Sequence, residues 1–193
     1  MASEILTSPL FPLSAHILPG GVMSLRIFEP RYIRMVKEAC AQKSGFVICM
    51  FNAMGNKTLN QHFYPIGTFV TVEDFDLLED GLLGITVKGH FCVFIESVET
   101  AKDDLRVGQC HKQQVWTSPE ADMGDSNIDL KLEEIFEKYP EVMSLYPKPE
   151  FDNTVWVIYR WLELLPVDAD QKQAFLEQKD CLPALEFISQ LVK

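Results

Sequence analysis

The chain has 193 residues, of which 47% are apolar and 23% are charged, and its formal net charge is −11. This length and composition are ordinary for one large or two small globular domains with a hydrophobic core. The charge is uneven, because residues 1–118 carry a net charge of −2 and residues 119–193 carry −9. So acidic a second half repels phosphate backbones, which disfavours general nucleic-acid binding.

Cysteine usage and the N-terminus bear on the cellular compartment. The five cysteines are an odd number without any C-x-x-C spacing, so we expect reduced thiols and a cytoplasmic protein. The first ten residues lack the basic start and apolar run of a signal peptide. No apolar stretch approaches the roughly 18–20 residues that span a bilayer, and we therefore expect no membrane association.

The N-terminal part is predicted to consist mostly of β-strands. Residues 9–13 are apolar and include two prolines, which favours an edge strand over a central one. After the turn signal at 19–21, Met23, Leu25 and Ile27 alternate with polar residues, as in a half-buried strand.

A helix is predicted to follow at Pro30, whose missing N–H costs nothing in a first turn. Gly45 is placed to end it. Asp80-Gly81 is typical of a hairpin turn, and Gly89 is predicted to separate two strands. Further strands are predicted at 46–51, 66–72, 82–87, 90–97 and 105–116.

The polar, turn-rich stretch 117–127 marks a domain boundary, which we place between residues 118 and 119. The chain after it is predicted to be helical. The helix after Asn153 is apolar nearly all round, which predicts the central helix of a bundle. The predicted helix caps are Ser126, Asn153, Asp168 and Asp180.

A search for catalytic and ligand-binding motifs predicts no enzyme, metal site or other cofactor. Residues 55–58 look like the end of a P-loop, but Asn56 separates the glycine from the lysine. Ser144 and Lys148 are four residues apart, but Pro147 breaks the helix that would align them. The histidines are dispersed, without metal-ligand spacing, at His16, His62, His90 and His111.

Three segments near the N-terminus resemble the Lon protease N-terminal (substrate-binding) domain family. They are Leu10-Phe11-Pro12-Leu13, Leu18-Pro19-Gly20 and the run LRIFEPRY from Leu25 to Tyr32. Weaker matches are Ile66-Gly67-Thr68, Asp80-Gly81 followed by Gly89, Leu162-Glu163-Leu164-Leu165-Pro166 and Gln171-Lys172-Gln173. The sequence departs from the family's G-x-x-R-F pattern at Gly89-His90-Phe91, so no role of that arginine carries over.

The resemblance implies an α+β protein, with a PUA-like β pseudo-barrel at 1–118 that contains one early helix and a C-terminal helical bundle at 119–193. It transfers no catalytic residue, because the family's catalytic residues lie in ATPase and Ser-Lys peptidase domains whose motifs these 193 residues lack. We therefore expect non-catalytic recognition of unfolded or extended polypeptide by an adaptor or quality-control factor. Other protein partners stay open.

Two alternatives remain, an RNA-binding PUA-like module and an enzyme with an unrecognised site. A basic groove with exposed aromatic residues would favour the first, and convergent polar groups in a deep pocket would favour the second. The candidate binding residues are Arg26, Glu29, Arg31 and Tyr32. A structural role at the strand-to-helix junction is the preferred interpretation for the charged ones.

The failed motif searches make a direct prediction about activity. We expect the purified protein neither to hydrolyse ATP nor to cleave unfolded casein. Phosphate release and casein fragmentation are the measurements. Activity that follows the protein band through repeated purification would contradict the prediction.

Overall fold

The computed structural model describes residues 5–116 and 127–192. The chain forms two compact units, Met1–Gln113 and Gln114–Lys193. The described parts contain six strands and six helices, which confirms the predicted α+β class. The predicted boundary between residues 118 and 119 lies outside the described residues and stays a prediction.

The described part of the first unit is a β-sheet with one helix. Its elements are β1 (Ile5–Leu13), β2 (Val22–Ile27), α1 (Pro30–Gln42), β3 (Phe46–Phe51), β4 (Phe63–Leu77), β5 (Leu83–Thr100) and β6 (Arg106–Lys112). The strand order is β2-β5-β4-β3-β1-β6, and β6 also pairs with β5. Five strands therefore close into a small barrel, and β2 lies outside this ring.

Strand β1 is central, so the prediction of an edge strand at residues 9–13 is wrong. Its first part pairs antiparallel with β6 as far as Leu10, and its last part pairs parallel with β3 from Leu10 onwards. Pro9 is paired only with β6 and Pro12 only with β3. Each proline thus has one unpaired side, where a missing N–H is tolerated.

Helix α1 begins at Pro30, as predicted, and buries Met35, Val36 and Ala39. It does not end at Gly45. Lys43 adopts the left-handed conformation with φ 50° and caps the helix, as residues at this position commonly do. Gly45 instead allows the chain to pass close to β4, since an added Cβ would lie 2.1 Å from the carbonyl oxygen of Val70 on that strand.

Strands β4 and β5 form one long hairpin. The predicted turn at Asp80-Gly81 is confirmed, with φ 81° at Gly81. The two strands predicted at 82–87 and 90–97 are instead a single strand, β5. Val70 pairs with Gly89 and Phe69 with Phe91, so His90 is the extra residue of a β-bulge. The departure from the family pattern therefore falls on this bulge.

The interior of the first unit consists of two apolar clusters. The cluster that includes the buried face of α1 also contains Phe11, Ile27, Phe46, Ile48, Val70, Ile85, Val87 and Leu105. The second cluster contains Leu10, Val47, Cys49, Phe63, Val93, Ile95 and Cys110. Burial of these side chains is the main favourable term for the barrel.

The described part of the second unit is helical. Its helices are α2 (Ile128–Lys138), α3 (Pro140–Met143), α4 (Thr154–Leu164), α5 (Ala169–Leu176) and α6 (Leu182–Leu191). All residues from Thr154 to Leu162 are buried, which confirms α4 as the predicted central helix. Among them is Arg160, which donates to the Glu163 carboxylate from two nitrogens, at 2.6 and 2.7 Å, so a charge-assisted pair accompanies its burial.

The predicted caps have different outcomes. The side chain of Asn153 accepts the Trp156 N–H at 3.2 Å, which confirms that cap. Asp180 accepts the Leu182 N–H at 3.0 Å, although Cys181 is the capping position. Asp168 occupies the predicted N-cap position of α5, but its side chain makes no capping hydrogen bond. Ser126 lies outside the described residues.

Two glycines allow steric and conformational costs to be compared. We expect Gly45→Ala to lower the free energy of unfolding by about 3 kcal/mol, because the methyl group would push β3 away from β4. A Cβ added at Gly81 would have no atom within 4 Å. We therefore expect Gly81→Ala to lower the free energy of unfolding by only roughly 1–2 kcal/mol, the cost of placing alanine in the left-handed conformation. Urea unfolding followed by circular dichroism measures both. A smaller loss for Gly45→Ala than for Gly81→Ala would contradict the packing argument.

Candidate functional site

Strand β2 is an edge of the sheet, because within the described residues it pairs only with β5. The Gly89 N–H donates to the Gly21 carbonyl at 2.9 Å, and hydrogen-bonded pairs alternate along an antiparallel ladder. Every second residue after Gly21 therefore bonds to β5. The backbone N–H and C=O groups of Ser24 and Arg26 point away from β5, where they can pair with an added strand.

A groove of about 410 Å³ lies on the sheet beside this edge. Ser24, Thr86 and Asp74 line it as one row across β2, β5 and β4, since directly opposed residues share a face. The row is polar and ends in a carboxylate. The remaining lining residues are Leu25, Arg26, Phe75, Asp76, Leu78, Gly84 and Ile85.

The next row of the groove contains Arg26, Gly84 and Asp76. An added Cβ on Gly84 would lie 2.9 Å from the Leu78 side chain, so Leu78 lies over this row. Arg26 Nη1 donates to the Asp80 carboxylate at 3.3 Å. The second row is therefore already occupied by side chains of the protein itself.

Large apolar side chains are exposed near the groove. Phe75 and Leu77 on β4 are 63% and 73% exposed, and Phe28, the residue after β2, is 67% exposed. By register, Phe75 lies opposite Ile85 and Leu77 opposite Leu83, on the face that points away from Asp74. Neighbouring exposed apolar groups commonly mark an interaction surface.

The structure separates the four residues that the sequence suggested for binding. Arg26 lines the groove. Glu29, Arg31 and Tyr32 instead lie at the junction between β2 and α1, and they are not among the groove residues.

The junction is held by polar contacts to the turn before β6. The Glu29 carboxylate accepts a hydrogen bond from Arg31 Nη2, and Arg31 Nη1 donates to the Asp104 carbonyl at 3.3 Å. Arg106 Nη1 donates to the same carbonyl at 2.6 Å. These charge-assisted contacts tie the start of α1 to the loop between β5 and β6.

Tyr32 packs into the same junction. Its ring centroid lies 4.2 Å from that of Phe11, and the Arg31 guanidinium lies 4.9 Å from it. Burial raises the pKa of Tyr32, and the nearby positive charge of Arg31 opposes this. The phenol therefore stays protonated at neutral pH and contributes packing rather than acid–base chemistry.

His62 is buried, which the sequence pattern around it did not predict. It is 6% exposed, and its ring centroid lies 4.8 Å from that of Phe63. Burial lowers its pKa, as do the positive charges of Arg106 and Lys57. A neutral imidazole packed on an aromatic ring is consistent with a structural role.

The three thiols that are buried in the barrel do not form a nucleophilic site. Cys49, Cys92 and Cys110 are buried in the barrel. Burial raises the pKa of Cys92 to about 12 and that of Cys110 to about 11, and it raises the pKa of Cys49 as well. Thiols with raised pKa values stay protonated and unreactive. In the parts of the chain that the structure describes, no three His, Cys, Asp or Glu residues are grouped for metal binding.

The segments first considered for catalysis have structural contacts. In the P-loop-like segment, Asn56 Oδ1 accepts the N–H groups of Thr58 and Leu59 at 2.9 and 3.2 Å, which makes it a polar turn. Ser144 Oγ donates to the Glu141 carbonyl at 2.9 Å.

Comparison with known proteins identifies the family. The model of the ATP-dependent protease La (LON) substrate-binding domain matches residues 7–193. The chain therefore belongs to the Lon substrate-binding domain family, which confirms the resemblance found in the sequence and supports a role in substrate recognition.

Solved structures agree with this assignment. The crystal structure of a Lon N-terminal domain protein from Xanthomonas campestris is 26% identical, with a TM-score of 0.74, and the match covers 95% of this chain and 96% of that one. The N-terminal domain of Mycobacterium avium complex Lon protease has a TM-score of 0.65 at 13% identity, with 97% and 98% covered, and shows the fold alone. No curated protein matches the sequence.

Both of these structures are Lon N-terminal domains, and the family match contains neither the protease nor the ATPase domain. Within residues 5–116 and 127–192, no helix is both long enough and apolar enough to cross a bilayer.

The junction contacts predict a stability effect for Glu29→Ala. The Arg31 side chain is only 20% exposed, so removing its carboxylate partner should lower the free energy of unfolding by about 1–3 kcal/mol. The control is Glu38→Ala, which breaks an exposed pair with Arg34 and should cost within roughly 0.5 kcal/mol. The measurement is the thermal unfolding midpoint of the wild type and both variants at matched pH. An unchanged midpoint for Glu29→Ala would contradict the structural role and favour a binding role.

Proposed function

We propose that this protein recognises unfolded or extended polypeptide without catalysing a reaction, as an adaptor or quality-control factor. The observation that carries the proposal is the open edge of β2 beside a groove, in a chain of a substrate-binding domain family. An extended peptide would add a strand to β2. Its backbone would pair with the outward N–H and C=O groups of Ser24 and Arg26.

Backbone pairing suits a protein that binds many sequences, because every extended peptide other than a proline-rich one offers the same N–H and C=O groups. The exposed side chain of Phe28, directly after β2, adds apolar contact surface near the edge, and those of Phe75 and Leu77 lie farther away on β4. These contacts strengthen binding without demanding one sequence. We expect modest affinity, since ordering a flexible peptide consumes much of the interaction free energy.

The groove does not favour the RNA-binding alternative. Its lining carries Asp74 and Asp76 against a single cation, Arg26, which is already paired with Asp80. A nucleic-acid backbone needs the opposite charge balance. Polypeptide therefore fits this surface better than RNA.

Ser24→Pro tests the open edge directly. The Ser24 N–H points away from β5, so proline removes the group that a peptide would use while leaving the ladder to β5 intact. We expect at least about tenfold weaker binding of a labelled, unfolded polypeptide, measured by fluorescence anisotropy at high salt. Ser24→Thr keeps the N–H and should bind like the wild type.

Two outcomes would contradict the proposal. Ser24→Pro could bind as tightly as Ser24→Thr, with both variants folded by circular dichroism, or wild-type protein could fail to bind up to high micromolar concentration. Labelled single-stranded RNA is titrated in parallel. RNA binding of comparable strength would overturn the polypeptide assignment.

A further inference from the structure

We infer that the polypeptide segments preferred at β2 alternate apolar with basic residues, with a basic side chain directed into the groove from the position opposite Ser24. The inference rests on the proposed function and specifies the substrate class of the same site. Three observations support the inference. They are the different polarity of the two faces of β2, the carboxylates around the groove and the distance across the sheet.

The two faces of β2 differ in polarity. Met23 and Leu25 are half-buried and pack against the core on one face, whereas Ser24 and Arg26 are exposed on the other. Side chains of a paired strand alternate between the same two faces. An added strand would therefore place every second side chain beside Met23 and Leu25 and the others at the groove.

The groove side is acidic. The hairpin segment from Glu73 to Asp80 contains five carboxylates. Arg26 is the one basic residue among the groove-lining residues, and Asp80 neutralises it. Asp74 contributes a carboxylate to the row that starts at Ser24, and no basic residue belongs to that row. A basic side chain in the bound segment complements this charge.

The distance between the added strand and the Asp74 carboxylate determines how strongly basic peptides are preferred. An added strand would lie three strand spacings, roughly 14 Å, from β4. A lysine or arginine side chain that crosses Ser24 and Thr86 covers about half of that distance. The Asp74 carboxylate stays on β4, where its Oδ1 accepts the Phe75 N–H at 2.9 Å. The two charges then remain several ångströms apart in solvent, within a Debye length at physiological salt. Such a pair favours basic segments several-fold rather than by orders of magnitude.

The experiment compares four labelled peptides of equal length by fluorescence anisotropy. Three alternate valine with lysine, threonine or glutamate, and the fourth groups the same valines and lysines into two blocks. We expect the valine–lysine peptide to bind about three- to tenfold more tightly than the valine–glutamate peptide at low salt, with valine–threonine between them. The block peptide should bind more weakly than its alternating isomer, because it cannot match both faces.

Asp74→Asn isolates the groove carboxylate. It should reduce the preference for lysine over glutamate by at least half, because it removes the one carboxylate of the row that starts at Ser24. Glu141→Gln is the matched control, because it removes an exposed carboxylate from the acidic second unit and should leave the preference intact. A preference that survives in Asp74→Asn but falls in Glu141→Gln would assign the effect to the second unit and overturn the inference.

Failure of the inference and failure of the proposed function give different results. If all four peptides bind equally and Ser24→Pro weakens all of them, the edge binds polypeptide and the inference alone is wrong. If valine–threonine does not bind at all, both are wrong. If light scattering shows a dimer that Ser24→Pro dissociates, a second copy of the chain occupies the edge, and the inference is overturned.

Discussion

Strand β5 is the element on which the first unit depends, because it pairs with three other strands. It pairs with β4 on one side, and on the other side with β2 in its first half and with β6 from Val93 onwards. A strand has only two edges, so β2 and β6 must occupy one of them in succession. The bulge at His90 lies between the two segments. The ring therefore closes through β6, and β2 is left as an open edge.

The junction after β2 determines where that edge lies. Pro30 starts α1 directly after the strand, and the Glu29–Arg31 pair ties this start to the Asp104 carbonyl. The apolar face of α1 then covers the core that β2 and β5 share. The charged residues of the junction thus hold β2 in place, while Arg26 on β2 itself belongs to the groove.

An open strand edge carries a risk of self-association, and the short length and the charge of β2 act against it. β2 has only six residues, and short, charged edges are poor templates for pairing between copies. Two copies that paired at this edge would hold their β4 carboxylates five strand spacings, roughly 24 Å, apart, so the charge that counts against self-pairing is Arg26 on β2 itself. The carboxylates of β4 bear instead on the basic peptide that we propose for this edge.

The sequence by itself determined the elements whose signals are local. The helix at Pro30, the turn at Asp80-Gly81 and the cap at Asn153 each depend on a few neighbouring residues, and the LRIFEPRY run indicated the family. The strand predicted at 66–72 was too short, because β4 runs from Phe63 to Leu77. The alternation of Phe75 and Leu77 with acidic residues is the local signal that was missed.

Only the tertiary structure decided which strands have free edges and which side chains share a face. The prolines of β1 favour an edge, yet β1 is central, because its two halves pair with different strands. Gly89 looked like a break but lies inside β5, where an added Cβ would lie 2.5 Å from the Leu18 carbonyl oxygen. The groove joins Ser24, Thr86 and Asp74 from three strands. Pairing between distant segments sets these features, because the residue pattern of one strand shows which face is buried but not which other strand it pairs with.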